Sequence, residues 1–238
     1  YFKEDKLWYF KKGFNMKVLF LGTSLLLGSF ISPLQAEESK NYLSLGGGIV
    51  HPKDPEGNST LGGTAYDFEF KIDNTSLFSI GVGRKFNEYR FEFNYSKATI
   101  ESDTFSVTSG GTGVTSSITP ALKSDVSSYM IYGYKDFIND SKFTPYAGVG
   151  LGLGHFSAKD QTATVAGSAY ELKGGDETVF SFGLKGGISY EIADNTSIFT
   201  EGLYQNFASY DVSEPGYETV NYDANQLFAV SAGIKFNF

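Results

Sequence analysis

Apolar and polar residues alternate along most of the chain. The cleanest stretch is YRFEFNYS. Tyr89, Phe91, Phe93 and Tyr95 take one face, and Arg90, Glu92, Asn94 and Ser96 take the other. A period of two marks a strand with two unlike faces. Further on, Phe180, Phe182, Leu184, Ile188 and Tyr190 oppose Ser181, Gly183, Lys185, Gly187, Ser189 and Glu191. In YAGVGLGLGH, Ala147, Val149, Leu151 and Leu153 alternate with Gly148, Gly150, Gly152 and Gly154. The last stretch sets Phe228, Val230, Ala232, Ile234, Phe236 and Phe238 against Ala229, Ser231, Gly233, Lys235 and Asn237. In SIFTEGLYQN, placing Glu201 and Gln205 on the polar face carries Phe199 and Leu203 there too. Eight strands are predicted, over 41–50, 77–86, 88–96, 126–137, 144–155, 178–192, 196–206 and 225–238. No helical 3–4 periodicity competes with them.

The links alternate in length. Short ones near Asn87, in INDSK and in ADN join strands two to three, four to five and six to seven. Long ones cover 51–76, 97–125, 156–177 and 207–224, rich in Gly, Ser, Thr, Asn and Asp and so expected to be solvated loops. The run TSGGTGVTSS (108–117) is close to low complexity and reads as a mobile tip.

Alternation does not say which face points inward. A soluble lipocalin-type barrel also has eight strands, with apolar residues inside. Here the polar face is small, dominated by Gly and Ser, as suits a crowded eight-stranded lumen. Charged residues are only 19% of the chain and aromatics reach 16%. The Phe, Tyr, Leu, Ile and Val face matches a lipid-facing band with aromatic girdles, and short links at one end with long loops at the other match the two sides of an outer membrane. Tyr89, Tyr134, Tyr190 and Phe238 are expected in the girdle at the short-link end. The expected fold is therefore all-β: an eight-stranded antiparallel up-and-down transmembrane β-barrel.

Upstream, MKVLFLGTSLLLGSFISPLQAEESK has a short basic start at Lys17, an apolar core of Val18 to Ile31 and a cleavage site ending at Ala36. This is a secretory signal peptide, too short for a membrane-spanning helix of ~20 residues; an uncleaved anchor is the other reading of the same run. Residues 1–15 are expected to be an upstream extension outside the fold, 16–36 the signal peptide and 37–238 the barrel domain. The last of these holds 14 basic and 25 acidic residues, a net −11, which disfavours nucleic acid. The absence of Cys excludes thiolate metal sites and thiol catalysis.

With a signal peptide, eight alternating strands and a final strand ending in Phe238, the chain resembles the small outer-membrane β-barrels, the opacity-protein and outer-membrane-protein-A barrel families. TPYAGVGLGLG, FSFGLKGGISYEIADNTSIFTEGLYQ and FAVSAGIKFNF are most similar to the rickettsial-type surface antigens. The resemblance implies that Ile234, Phe236 and Phe238 form the signal read by the barrel-assembly machinery. It also implies a barrel without the peptidoglycan-binding domain that follows it in outer-membrane protein A. It implies location in the cell outer membrane among lipid and lipopolysaccharide, and it speaks to fold rather than activity.

Candidate chemistry is sparse. The Gly148–Gly154 ladder contains GxGxG spacing, but a nucleotide loop would need a helix after it. Loop acids Asp54, Glu56, Asp211, Glu214, Glu218 and Asp223 lack EF-hand spacing and read as a solvated face, with no metal or cofactor implied. His155 and Ser157 share the outward side of a strand. With Glu171 to orient the His they would make an ester-cleaving nucleophile. The pair is similar to the His-x-Ser of lipid A deacylases, although Ala158 follows where those enzymes have Asn. The plainer reading is a strand-end His and a loop Ser. Arg90, Lys135, Lys185 and Lys235 share the inward parity with Glu92, Glu191 and Glu201, and so are expected to form an ion-pair network across the lumen. Three functions compete: a non-enzymatic surface protein whose acidic loops contact host or surface ligands, a narrow porin-like channel, and a lipid A hydrolase.

Overall fold

The computed structural model describes residues 39–61, 63–165, 167–172, 174–212 and 219–238. The expected upstream extension, the expected signal peptide with its cleavage site, Glu214 and Glu218 lie outside them. Fourteen strands are present among the described residues: β1 (Ser39–Pro52), β2 (Glu56–Leu61), β3 (Thr64–Ile72), β4 (Thr75–Phe86), β5 (Tyr89–Ser109), β6 (Thr112–Asp136), β7 (Phe143–Ala158), β8 (Gln161–Val165), β9 (Ser168–Leu172), β10 (Gly175–Ala193), β11 (Thr196–Phe207), β12 (Tyr210–Val212), β13 (Val220–Tyr222) and β14 (Asn225–Asn237).

Eight of these close a ring in the order β5-β4-β1-β14-β11-β10-β7-β6, with β6 pairing back onto β5. Every neighbour is antiparallel. The ring has no open edge, so each backbone amide at mid-height finds a partner without water, the condition for crossing a bilayer. Outward side chains such as Phe78, Phe91, Ile131, Leu151, Phe180 and Val230 are exposed, and they form the lipid-facing band. Phe238 is anchored despite its exposed ring. Its N–H donates to the Asn41 carbonyl (2.8 Å), and the Asn41 N–H donates to the Phe238 carbonyl (3.0 Å).

Three tight links lie at one end. Phe86 faces Tyr89 across Asn87, which holds φ +52°, and Ala193 faces Thr196. At the other end the described residues of the long connections are mostly sheet rather than loop. β5 and β6 run on together to Ser109 and Thr112, where Gly110 and Gly111 turn at φ +56° and +80°. The expected mobile run 108–117 is thus the tip of a hairpin. Two successive positive φ values need residues without a Cβ penalty, which explains its glycines. The other three long connections likewise contain the hairpins β2–β3, β8–β9 and β12–β13.

The glycine ladder of β7 has a steric cause. A Cβ at Gly148 or Gly150 would overlap the rings of Tyr134 and Tyr132, which lie inside the barrel. The lumen is filled by large side chains from one strand because its neighbour supplies none.

Candidate functional site

The lumen is layered. At the short-link end the Arg90 Nε donates to Asp136 Oδ1 (2.8 Å), and Lys85 Nζ lies 3.2 Å from Asp136 Oδ2. The Arg90 guanidinium also sits 4.4 Å over the Tyr134 ring and 4.8 Å over that of Tyr146, where cation–π attraction replaces lost hydration. One layer up, Glu92 accepts from Ser44 Oγ (3.1 Å), Asn94 Nδ2 (3.0 Å) and Tyr134 Oη (3.2 Å). Across the barrel, Lys185 Nζ is 2.9 Å from Glu201 Oε1, and Tyr146 Oη donates to Glu201 Oε2 (3.1 Å). The register sets Glu201 opposite Gly187, two residues from Lys185, so the lysine crosses diagonally to reach it. Lys235 is buried near the rings of Tyr42 and Tyr146, 5.6 and 6.0 Å from their centres. Above the charges, Gln205 Nε2 donates to Ser181 Oγ (2.9 Å) and Ser128 Oγ (3.1 Å). Higher still the interior turns apolar, with Val50, Val126, Val179, Leu203, Phe207 and Leu227. The void among the charged residues is only about 20 Å³, room for about one water.

Two residues expected in this network lie elsewhere. Lys135 is on the outer wall. Arg90 pairs with Tyr134, so those two point inward, while Lys135 pairs with Tyr89 and both point out. Lys135 reaches the aqueous end, 5.6 Å over the Tyr89 ring and 3.7 Å from Glu88. Correspondingly, Tyr134 leaves the expected girdle for the core. Glu191 has inward parity but stands exposed at the short-link end of the ring, beside a register shift at Glu191/Ala193. It lines the short-link mouth, a chamber of about 390 Å³, rather than the ion-pair layer. Asp136 takes the place of the missing acid. Its signal was the alternation Met130, Tyr132, Tyr134, Asp136, which the lysine between Tyr134 and Asp136 masked.

At the long-link end the hairpins join into one sheet. β2 pairs with β3 and also with β13, β3 pairs with β5, and β8 pairs with β6 through Ile118–Val165 and Thr119–Thr164. Aromatic contacts support it. Ring centres lie 5.5 Å apart for Phe68–Tyr222, 4.8 Å for Phe70–Phe105 and 4.9 Å for Tyr210–Tyr222. Lys71 clasps Asp54 (2.6 Å) and Glu69 (2.8 Å). Partial burial acts to raise the Asp54 carboxyl, but hydrogen bonds from Lys71 and from the Ile72 N–H outweigh it and hold Asp54 below the usual range. The described residues of the four long connections carry 14 acidic and 5 basic residues, most of the net charge of 37–238. This is an acidic platform raised above the ring.

His155 and Ser157 face outward on β7. The His155 Nδ1 is 2.9 Å from Thr178 Oγ1, and its Nε2 is 3.9 Å from Asp176 Oδ1. Side chains two apart on a strand stand roughly 6.6 Å from each other. Among the described residues no hydrogen bond joins His155 to Ser157 or Glu171. Glu171 sits opposite Thr162 on the separate β8–β9 hairpin. The three are not assembled as a catalytic unit.

Residues 22–236 match the family described as outer membrane protein beta-barrel domain. Outer membrane protein PagN of Salmonella typhimurium is 32% identical over 119 residues, 48% of this chain and 50% of that protein. The chain thus spans about half the length of the curated relative it matches. Among solved structures, Neisserial surface protein A superposes with TM-score 0.52 at 17% identity, covering 85% of this chain and 100% of that one. OprG of Pseudomonas aeruginosa gives TM-score 0.52 at 14% identity, covering 86% and 98%. Both likenesses concern the fold.

Proposed function

The chain belongs to the outer membrane protein β-barrel family, and from that premise we propose that it is a surface-display protein whose acidic platform binds cationic ligands on host cells or other surfaces. One observation carries the reading: the four long connections are hydrogen-bonded into a single sheet that concentrates the negative charge. Binding sites prefer segments held by a rigid scaffold. A like-charged field raises the encounter rate with oppositely charged partners and makes it salt-dependent. The lumen below contributes stability rather than passage. Placement among the rickettsial-type surface antigens rests on the quoted sequence stretches, and insertion by the barrel-assembly machinery through Ile234, Phe236 and Phe238 belongs to the same proposal.

The test is adherence of cells expressing the full chain to epithelial monolayers and to polylysine-coated surfaces. The reading requires adherence that declines with salt and falls when the β2–β3 hairpin is replaced by a short turn, with the barrel still folded. Equal adherence of the hairpin-less protein would overturn it. The two other readings have less support. The channel needs a water path that the packed ion pairs and apolar upper lumen do not leave. The lipid A hydrolase needs His155 and Ser157 in contact. Unchanged lipid A mass on overexpression disposes of the hydrolase.

A further inference from the structure

The platform and the upper lumen together enclose a second feature, a cavity of about 320 Å³ at the long-link mouth. Phe70, Ile72, Ile100, Phe156, Tyr210 and Tyr222 line it. They come from β3, β5, β7, β12 and β13, so the cavity exists only because the hairpins are joined over the ring. Tyr210 lies between Phe156 and Tyr222, its ring centre 6.2 Å from the first and 4.9 Å from the second, both stacked. This aromatic wall continues down to Phe207, 5.1 Å from Phe156, and Ile72, Ile100 and Phe156 also line the apolar upper lumen below. Beneath that, Gln205 and the ion pairs close the floor.

From this arrangement we propose that the cavity is a binding cup for a small uncharged hydrophobic molecule. Its size falls in the range of about 300–1,000 Å³ typical of small-molecule sites, and its lining is of the kind such sites use. The charged residues at its edge argue against an anionic occupant. Lys123 Nζ is already 2.6 Å from Glu101. That leaves Lys159 with Asp176 and Glu177, so acid is in excess. An anion would lose hydration and meet like charge, a cation would give up hydration in a largely aromatic and aliphatic lining, and an apolar molecule gains by leaving water. The sealed floor makes this a dead-end cup rather than an entry to a channel.

Isoleucine methyl NMR tests the idea on the full chain in lipid nanodiscs, with cyclohexanol as the neutral probe and cyclohexanecarboxylate and cyclohexylammonium as its charged counterparts. Ile72 and Ile100 line the cup, while Ile49, Ile131, Ile188 and Ile198 are exposed on the barrel wall and report partitioning into lipid. The expected result is saturable shifts at Ile72 and Ile100 with cyclohexanol, and binding at least about tenfold weaker for both charged probes. Ala158 also lines the cup. Ala158→Phe should fill it and abolish the saturable shifts. Should that variant fail to fold, the comparison of the probes on the unmodified chain still decides. Shifts that do not saturate, or that match those of the wall isoleucines, overturn the proposal. So does an affinity for either charged probe equal to that for cyclohexanol. Either failure leaves the adhesion reading intact, because that reading depends on the platform's outer charge.

Discussion

Removing the Glu201 carboxylate should destabilise the barrel severely, because the charge it neutralises has nowhere to go. Lys185 and Glu201 side chains are only 6% and 8% exposed and 2.9 Å apart. At that distance an effective dielectric of about 20 gives an attraction of about 6 kcal/mol, and desolvating each ion costs several kcal/mol in return. The pair therefore contributes little net stability. Glu201→Ala removes the attraction and keeps the desolvation cost of Lys185. It also strips Tyr146 Oη of its acceptor. The expected loss is ~3–5 kcal/mol. The double variant Lys185→Met with Glu201→Leu removes both ions and should cost less than ~1.5 kcal/mol. Equilibrium urea unfolding of the refolded barrel in lipid vesicles, followed by the gel shift between folded and unfolded forms, gives both values. If Glu201→Ala costs below ~1 kcal/mol, the pair behaves as a surface ion pair and the lumen is wet. A double variant as unstable as the single one would show that shape rather than the stranded charge sets the loss.

Other outcomes follow from the same structure. Phe238→Ser should lower the amount of folded barrel in the outer membrane, read by fractionation and heat modifiability; unchanged assembly would leave Phe238 only a girdle residue. Planar-bilayer recording should find no large, stable single-channel conductance in the unmodified chain, and such a conductance would favour the channel. The Asp54 carboxyl, held below its ordinary value, contributes stability above the unfolded pKa of about 3.9, and that contribution is lost as pH falls through the lower folded value. The Ile72 amide resonance, bonded to Asp54 Oδ1, should titrate with a midpoint below about 3.9 and stop titrating there in Asp54→Asn. A midpoint above the ordinary aspartate value would contradict the clasp.

The ring strands were legible because one of their faces meets lipid. Nothing else tolerates Phe91, Leu151, Phe180 and Val230 in the open, so the alternation is strong and its phase is fixed. β6 resisted for the opposite reason. In SSYMIYGYKD both parities carry large residues, and tyrosine suits a membrane girdle as well as the face of a buried guanidinium. Only the register against β5, with Arg90 opposite Tyr134, settles the choice. The platform hairpins were hidden differently. Strands such as SVTS and GVTSSIT are mostly Ser, Thr and Gly, with Ile118 the one buried side chain of the second, so their period-two pattern has little hydrophobic contrast to reveal it. The cup was out of reach altogether, since Phe70, Ile100, Phe156, Tyr210 and Tyr222 come from four separate stretches of chain and meet only when the hairpins pair.

The uneven division of the lumen bears on where function can reside. The charged layer lies toward the short-link end, where a chamber of about 390 Å³ bordered by Lys40, Lys142, Glu191 and Asp194 brings water close to Lys85, Arg90 and Lys235. Charges so placed keep part of their hydration, which lowers the cost of burying them. The apolar layer lies toward the other end, where Phe207, Leu203 and Val126 exclude water from above. A hydrated ion crossing the barrel would have to part both layers, breaking the Lys185–Glu201 and Arg90–Asp136 pairs in the first and shedding its water in the second. Each therefore raises the barrier the other leaves, and the arrangement favours a closed post. What the post can offer its surroundings is then confined to its walls and its raised end, and among the described residues the raised end combines a fixed sheet, a concentrated charge and an apolar-lined cavity.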